Sequence, residues 1–163
     1  MILDNLMLLS GSVSAAGVLS GQAANGSGNV LSTNTVDIAP LTIGGNQAGD
    51  LGAGSDLYVE FSVLTAPTVG TTVRFQLIQA DDAALSSNVQ VINQTDDIPI
   101  ASLPAGTLVP LGWDPSAPYP PKRYIGARYV NTGAIATFSV VAAIVKDVQA
   151  MKNILYKSGY TVL

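Results

Sequence analysis

Residues 123–145 read Arg-Tyr-Ile-Gly-Ala-Arg-Tyr-Val-Asn-Thr-Gly-Ala-Ile-Ala-Thr-Phe-Ser-Val-Val-Ala-Ala-Ile-Val. Ile125, Ala127 and Tyr129 alternate with Tyr124, Gly126 and Arg128, which is the two-residue period of a half-buried strand. Asn131-Thr132-Gly133 then reads as a short loop, its glycine able to take the left-handed conformation of a three-residue hairpin. Ala134 to Val145 runs back as a second strand, with Phe138, Val140, Ala142 and Ile144 on one face. Its other face, Thr137, Ser139, Val141, Ala143 and Val145, carries no charge. A strand that is apolar on both sides is covered on both sides, by another sheet or by another subunit. The expectation is a β-hairpin at the centre of an all-β protein, with Val141, Ala143 and Val145 as candidate subunit contacts.

Outward from this stretch the strands come short and evenly. Leu57-Tyr-Val-Glu-Phe-Ser-Val-Leu64 points Leu57, Val59, Phe61 and Val63 one way, and Tyr58, Glu60 and Ser62 the other. Pro67 and Gly70 supply a turn. Thr71 to Gln79 answers it, with Val73, Phe75 and Leu77 inward and Arg74 and Gln76 outward. Asp81 to Ser87 reads as a loop or single helical turn, and Val89 to Ile92 as the next strand. Residues 93–106 form a turn-rich link with Ile98 and Ile100 buried. Thr107 to Leu111 is a strand interrupted by Pro110, which belongs on an edge. Trp113 to Lys122 holds four prolines and forms an irregular loop.

The N-terminal third is less specific. Residues 1–9 are apolar and read either as an arm that reaches a neighbour or as an edge strand tucked under the core. Residues 10–29 are rich in Ser, Gly and Ala and read as a loop or weak hairpin. Ser32 to Ile38 is a short strand closed by Pro40, and a Gly-rich crossing runs from Gly44 to Gly54. At the other terminus, Asp147 to Lys157 suits either one short helix capped by Asp147 or an extended tail. About eight strands with regular turn signals and no alternating helices call for an antiparallel sandwich, jelly-roll or barrel.

Composition narrows the function. With 163 residues there is room for about one domain. Charged residues make up only 11%, against about 25% in ordinary proteins. Such a weakly charged surface suits a life inside an assembly. The net charge of −4 and the seven scattered basic residues make nucleic acid and anionic membrane poor partners. No Cys means no disulfide or thiolate metal site, and no His removes the commonest general base. The apolar start carries Asp4 and lacks the basic residues of a secretory signal. No window reaches the roughly 18 apolar residues of a spanning helix, so a soluble protein is expected.

Candidate chemistry is sparse. Asp50-Leu-Gly-Ala-Gly-Ser-Asp56 lacks the dense acidic ladder of a Ca²⁺ loop, and no metal or cofactor is expected. Asp81-Asp82 and Asp96-Asp97 read as solvated turn residues. Trp113, Tyr119 and Tyr124 either stack a sugar or pack the proline loop onto the sandwich. Without His the usual Ser–base pair cannot be built, and an enzyme is not expected.

A set of segments in order carries a resemblance: Met1-Ile-Leu-Asp4, Ser32-Thr-Asn-Thr-Val-Asp-Ile38, Gly54-Ser-Asp-Leu-Tyr-Val59, Phe75-Gln-Leu-Ile-Gln-Ala-Asp-Asp82, Arg123-Tyr-Ile-Gly-Ala-Arg-Tyr129, Ile144-Val-Lys-Asp-Val-Gln149 and Ser158-Gly-Tyr-Thr-Val162. Together they resemble the capsid cement (decoration) proteins of tailed bacteriophages, the family typified by a Bordetella phage cement protein. The Gly-rich insert at 22–29 and the proline loop at 110–121 depart from it. The resemblance implies a single jelly-roll domain over 1–163, with an arm at 1–9, a sandwich at 10–148 and a tail at 149–163. It further implies a homotrimer, made in the host cytoplasm, that sits on the outside of the head and ties major capsid subunits together. It implies no direct nucleic-acid or membrane contact. Ile2, Leu3, Leu6, Met7 and Leu8 of the arm and Tyr160 and Val162 of the tail are the expected contacts outside the core, being apolar and terminal. A glycan- or receptor-binding jelly-roll of a tail or fibre is the alternative, and a carboxylate hydrolase a more distant one.

Overall fold

The computed structural model describes residues 7–38, 41–43, 46–48, 57–113 and 122–146. Eight strands carry the architecture: β1 (Leu8–Ser10), β2 (Gly26–Leu31), β3 (Leu57–Thr65), β4 (Thr72–Ala80), β5 (Gln90–Gln94), β6 (Leu108–Trp113), β7 (Tyr124–Ile135) and β8 (Ser139–Val145). They form two antiparallel sheets. Sheet 1 runs β1-β8-β3-β6 and sheet 2 runs β5-β4-β7-β2. Short strands lengthen the edges: Gln22–Ala23 pairs with β8, Val36–Asp37 with β7 and Ile98–Pro99 with β4. Ser12–Val13 and Leu19–Ser20 make a small hairpin of their own, and Leu41–Ile43 pairs with Asn46–Ala48.

The pairings have one underlying plan. β4 pairs with β5, β3 with β6, β2 with β7 and β1 with β8. The chain is thus one long hairpin bent at residues 81–89 and then rolled, so that β3 also meets β8 and β4 also meets β7. That is the jelly-roll solution to the problem of exposed sheet edges.

The alternation read from the sequence fixes the interior. Val59, Phe61 and Val63 from β3, Val73, Phe75 and Leu77 from β4, and Ile125, Ala127 and Tyr129 from β7 share one core with Phe138, Val140, Ala142 and Ile144. The ring centroids of Phe61 and Phe75 are 5.1 Å apart, and Tyr129 meets them edge-on at 5.9 and 5.8 Å. Edge-to-face aromatic packing of this kind adds about 0.5–1.5 kcal/mol per pair to plain area burial.

Two hairpins expected from the sequence are not hairpins. β7 and β8 lie in opposite sheets, as do β3 and β4. β7 continues through Asn131-Thr132-Gly133 to Ile135, and the chain changes sheet only at residues 136–138. Gly133 is left-handed, with φ 82°, but inside a bulged strand rather than a turn. A Cβ on it would lie 3.0 Å from Gly70 Cα. The cause is the neighbouring crossing at 66–71. Thr71 N–H donates to Thr132 O, Ala136 N–H to Thr68 O and Thr68 N–H to Thr137 O. The two crossings satisfy each other's backbone groups, so neither needs a hairpin partner.

The N-terminal expectations shift as well. Residues 26–29, read as part of a loop or weak hairpin, belong to β2, and Leu8 and Leu9, read as part of an arm or an edge strand, belong to edge strand β1. Leu9 is in the core, and Leu8, Leu9 and Ser10 are all buried. Leu8, expected as a contact outside the core, is therefore an inner residue of an edge strand. Ile2, Leu3 and Leu6 lie outside the described residues, as do Tyr160, Val162 and the stretch from Asp147 to Lys157. β6 is an edge strand, as Pro110 required, but it extends through Trp113. Ile98 and Ile100 are only partly buried.

Candidate functional site

The strand register gathers the chain's loose ends at one end of the sandwich. Leu8 pairs with Ala143, Val145 with Tyr58 and Leu57 with Trp113. In sheet 2, Tyr124 pairs with both Asp37 and Ala80. The start of β1, the end of β8, both flanks of residues 39–56 and both flanks of residues 114–121 therefore lie together, beside the 81–89 bend. The opposite end holds the short crossings at 66–71 and 136–138.

Ion pairs line this end. Arg123 clamps Asp37 through both forks, Nε to Oδ1 at 3.0 Å and Nη2 to Oδ2 at 2.9 Å, and its guanidinium stands 5.0 Å over the ring of Tyr124. The Asp37 hydrogen bonds raise the Arg123 pKa above its ordinary value. Lys122 Nζ lies 2.7 Å from Asp81 Oδ1, and Asn88 Nδ2 donates to Asp81 Oδ2. Those two bonds, Lys122 first, hold the Asp81 carboxyl below the usual range. Asp82 accepts the backbone N–H of Ser86 and Ser87 and the hydroxyl of Ser86, and the Ser87 bond leads in lowering its pKa. Asp82 is thus committed to its own loop, whereas Asp81 ties that loop to Lys122 before β7. Such exposed pairs order the rim and contribute little net stability.

The two outer faces of the sandwich differ. That of sheet 1 is closed by its own chain. Leu8, Val141, Ala143 and Val145 are buried together with Val13 and Leu19 of the small hairpin and with Tyr58 and Leu64. Ala143 and Val141 have no exposed surface. This corrects the reading of Val141, Ala143 and Val145 as a face open to another subunit: the cover is the folded-back 12–20 hairpin. Beside them on β3, Glu60 and Ser62 are buried too.

The outer face of sheet 2 is half covered. Leu85 folds over Gly126, in a cluster with Ile78, Ala80 and Val91. Leu85 has a left-handed φ of 53°, a conformation unusual for a non-glycine residue. Toward the other end the face is polar. Arg74 is bidentate to Asp97, at 3.0 and 2.9 Å. Arg128 Nε donates to Gln76 Oε1, and Gln76 Nε2 donates to Gln94 Oε1 at 2.6 Å. Burial lowers the Arg128 pKa from its ordinary value, the mark of a charge that loses water without gaining a carboxylate. Sequence alternation put Arg74, Gln76 and Arg128 outward, but nothing in it says that Gln76 and Arg128 are cross-strand partners.

The aromatic trio is not assembled as read. Trp113 is 5% exposed and belongs to the core, whereas Tyr124 is outside sheet 2 with Ile78 and Leu85. Tyr119 and the Asp50–Asp56 loop lie outside the described residues. Among the described residues no group of three acidic, His or Cys side chains could hold a metal ion.

A family model, Bbp16, matches residues 18–144, from the small hairpin into β8. The chain belongs to the Bbp16 family. Bbp16 is a family associated with a Bordetella phage, which makes the chain a phage-related protein. No curated protein matches it. The Bbp16 match covers seven of the eight strands and omits β1, the strand that forms the outer edge of sheet 1.

Proposed function

We propose that this chain is a capsid cement protein, which binds the outside of a phage head as a homotrimer and ties neighbouring major capsid subunits together. The observation that carries the reading is the Bbp16 match across nearly all of a jelly-roll. Two physical features support it. The surface is poor in charge, with only 11% charged residues in the chain, and so repels close neighbours weakly. Both termini and both long connections also start from one end of the sandwich, so the segments outside its strands are attached on a single side.

The mechanism needs no chemistry. A trimer presents the same contacts three times, so modest contacts combine by avidity. A protein that binds only the assembled lattice stabilises that lattice by mass action. The termini, including Ile2, Leu3, Leu6, Tyr160 and Val162, are the proposed reach into the capsid, and the buried Val141–Val145 face takes no part. Trp113 and Tyr124 offer no shared platform on which a sugar could stack, so the glycan-binding alternative gains no support from them.

The test is to add purified protein to heads that lack it, and to image them by electron cryo-microscopy. Trimeric density over the capsomer junctions, with raised resistance of the heads to rupture, is the expected result. Bare heads at saturating protein would refute the reading. Sedimentation giving only monomer at all concentrations would remove the trimer from it.

A further inference from the structure

Five cationic side chains lie in the described residues: Arg74, Lys122, Arg123, Arg128 and Lys146. Arg74, Lys122 and Arg123 are each paired with a carboxylate, Asp97, Asp81 and Asp37, at 2.9, 2.7 and 2.9 Å. Lys146 is exposed where β8 ends. Arg128 differs from all of them. It is half-buried in mid-strand β7, its Nε is held by Gln76, and among the described residues no carboxylate lies within ion-pair reach of it.

A half-buried guanidinium gives up hydration, and an internal carboxylate is the ordinary compensation. Here the compensation is an amide ladder, Arg128–Gln76–Gln94, which orients the group without neutralising it. With Nε engaged, the two terminal nitrogens remain as a planar donor pair, and that pair matches the two oxygens of one carboxylate. Val130 and Thr132 continue the face along β7, and Arg74 beside them is already neutralised by Asp97. The other broad face of the sandwich is closed by the 12–20 hairpin, whereas among the described residues no segment covers this half of sheet 2.

We propose that the open half of the outer face of sheet 2 is a docking surface for an acidic loop of the capsid protein, and that Arg128 receives the carboxylate of its Asp or Glu. This rests on the capsid-binding reading above. A nucleic-acid backbone is a poorer occupant. It needs several unpaired cations in a row, whereas this face offers one on a chain of net charge −4.

Two variants test the proposal. Arg128→Gln removes the charge. Gln76→Glu keeps the guanidinium but gives it an internal carboxylate, while Gln94 can turn its amide to donate to the new side chain. Saturation binding of the full chain to undecorated heads is measured for each, with thermal unfolding as a check on folding. The expected result is that wild type binds, that both variants unfold near the wild-type temperature, and that both bind about 10-fold to 100-fold more weakly, as the loss of a charge-assisted pair requires. Wild-type affinity in either folded variant overturns the proposal and leaves the cement reading intact. Failure of wild type itself to bind heads removes both. Competition by a short DNA duplex that depends on Arg128 would overturn the carboxylate in favour of phosphate.

Discussion

The phenol of Tyr129 donates a 2.7 Å hydrogen bond to the hydroxyl of Ser10, and both residues are fully buried. Tyr129 belongs to sheet 2 and Ser10 to the edge strand of sheet 1, so the bond ties the start of the chain across the core. Burial drives the Tyr129 pKa far above its ordinary value, which keeps the phenol a donor at any working pH. Tyr129→Phe and Ser10→Ala should each cost about 1–2 kcal/mol, since each strands a buried partner. The double variant should cost less than the sum, with a coupling of about 1 kcal/mol in a denaturant-unfolding cycle. Strict additivity would mean that the bond contributes nothing.

The same relationship separates two truncations. Removing residues 1–6 leaves β1 and its bond to Tyr129, and the far-ultraviolet β signal should survive. Removing residues 1–10 also takes Leu9 out of the core and exposes the edge of β8, and the domain should unfold. A folded 1–10 deletion would show that β1 is dispensable.

Ala143→Asp probes the closed face. The new carboxylate would sit under Leu8 and the 12–20 hairpin, directly across the ladder from buried Glu60. Burying an uncompensated charge costs about 3–5 kcal/mol. Circular dichroism should therefore show loss of the fold, in contrast to a subunit-interface variant, which would dissociate while staying folded. A folded Ala143→Asp monomer would reopen this face as an interface.

Gly126 marks a close approach. A Cβ there would run into Leu85 Cδ1 and crowd Ser32 Oγ, which accepts the Ala127 N–H. Gly126→Ala should lift the 81–88 loop and destabilise by about 1–3 kcal/mol, as overpacking does. Pairing it with Leu85→Ala, which empties the space, should recover part of that loss in a thermal melt. No recovery would place the clash elsewhere.

Acid should loosen the same loop by another route. The Asp81 and Asp82 carboxyls both titrate below their ordinary value of 3.8. A depressed carboxyl stabilises the fold above its unfolded pKa, and that stabilisation is lost as pH falls through the lower folded value. The Ser86 and Ser87 amides should lose protection from hydrogen exchange below pH 3.8, relative to core amides such as that of Ala127. Protection unchanged at lower pH would show that the caps do not hold the loop.

Local periodicity determined a good part of this protein. A strand turns its side chains over every residue, so the inward sets Val59-Phe61-Val63, Val73-Phe75-Leu77 and Ile125-Ala127-Tyr129 were legible before any pairing was known, as was the edge position of the Pro110 strand. Which strand lies beside which was not. Pro67 to Gly70 and Asn131 to Gly133 carry the residues of hairpin turns, yet the first serves a crossing between sheets and the second lies inside β7, because the crossings at 66–71 and 136–138 find their backbone partners in each other. β2 is built on Gly26-Ser-Gly-Asn29, which has no strand propensity. It is a strand because β7 offers it hydrogen bonds from across about a hundred residues of chain. The rim of ion pairs and the Arg128 ladder depend on the same distant pairings, and for that reason the candidate sites were the least legible part. The double-sided apolar pattern of β8 foretold that both its faces leave water. Burial of apolar area is non-directional, so the pattern could not name the cover, and only the folded-back hairpin of residues 12–20 decided that it belongs to the same chain.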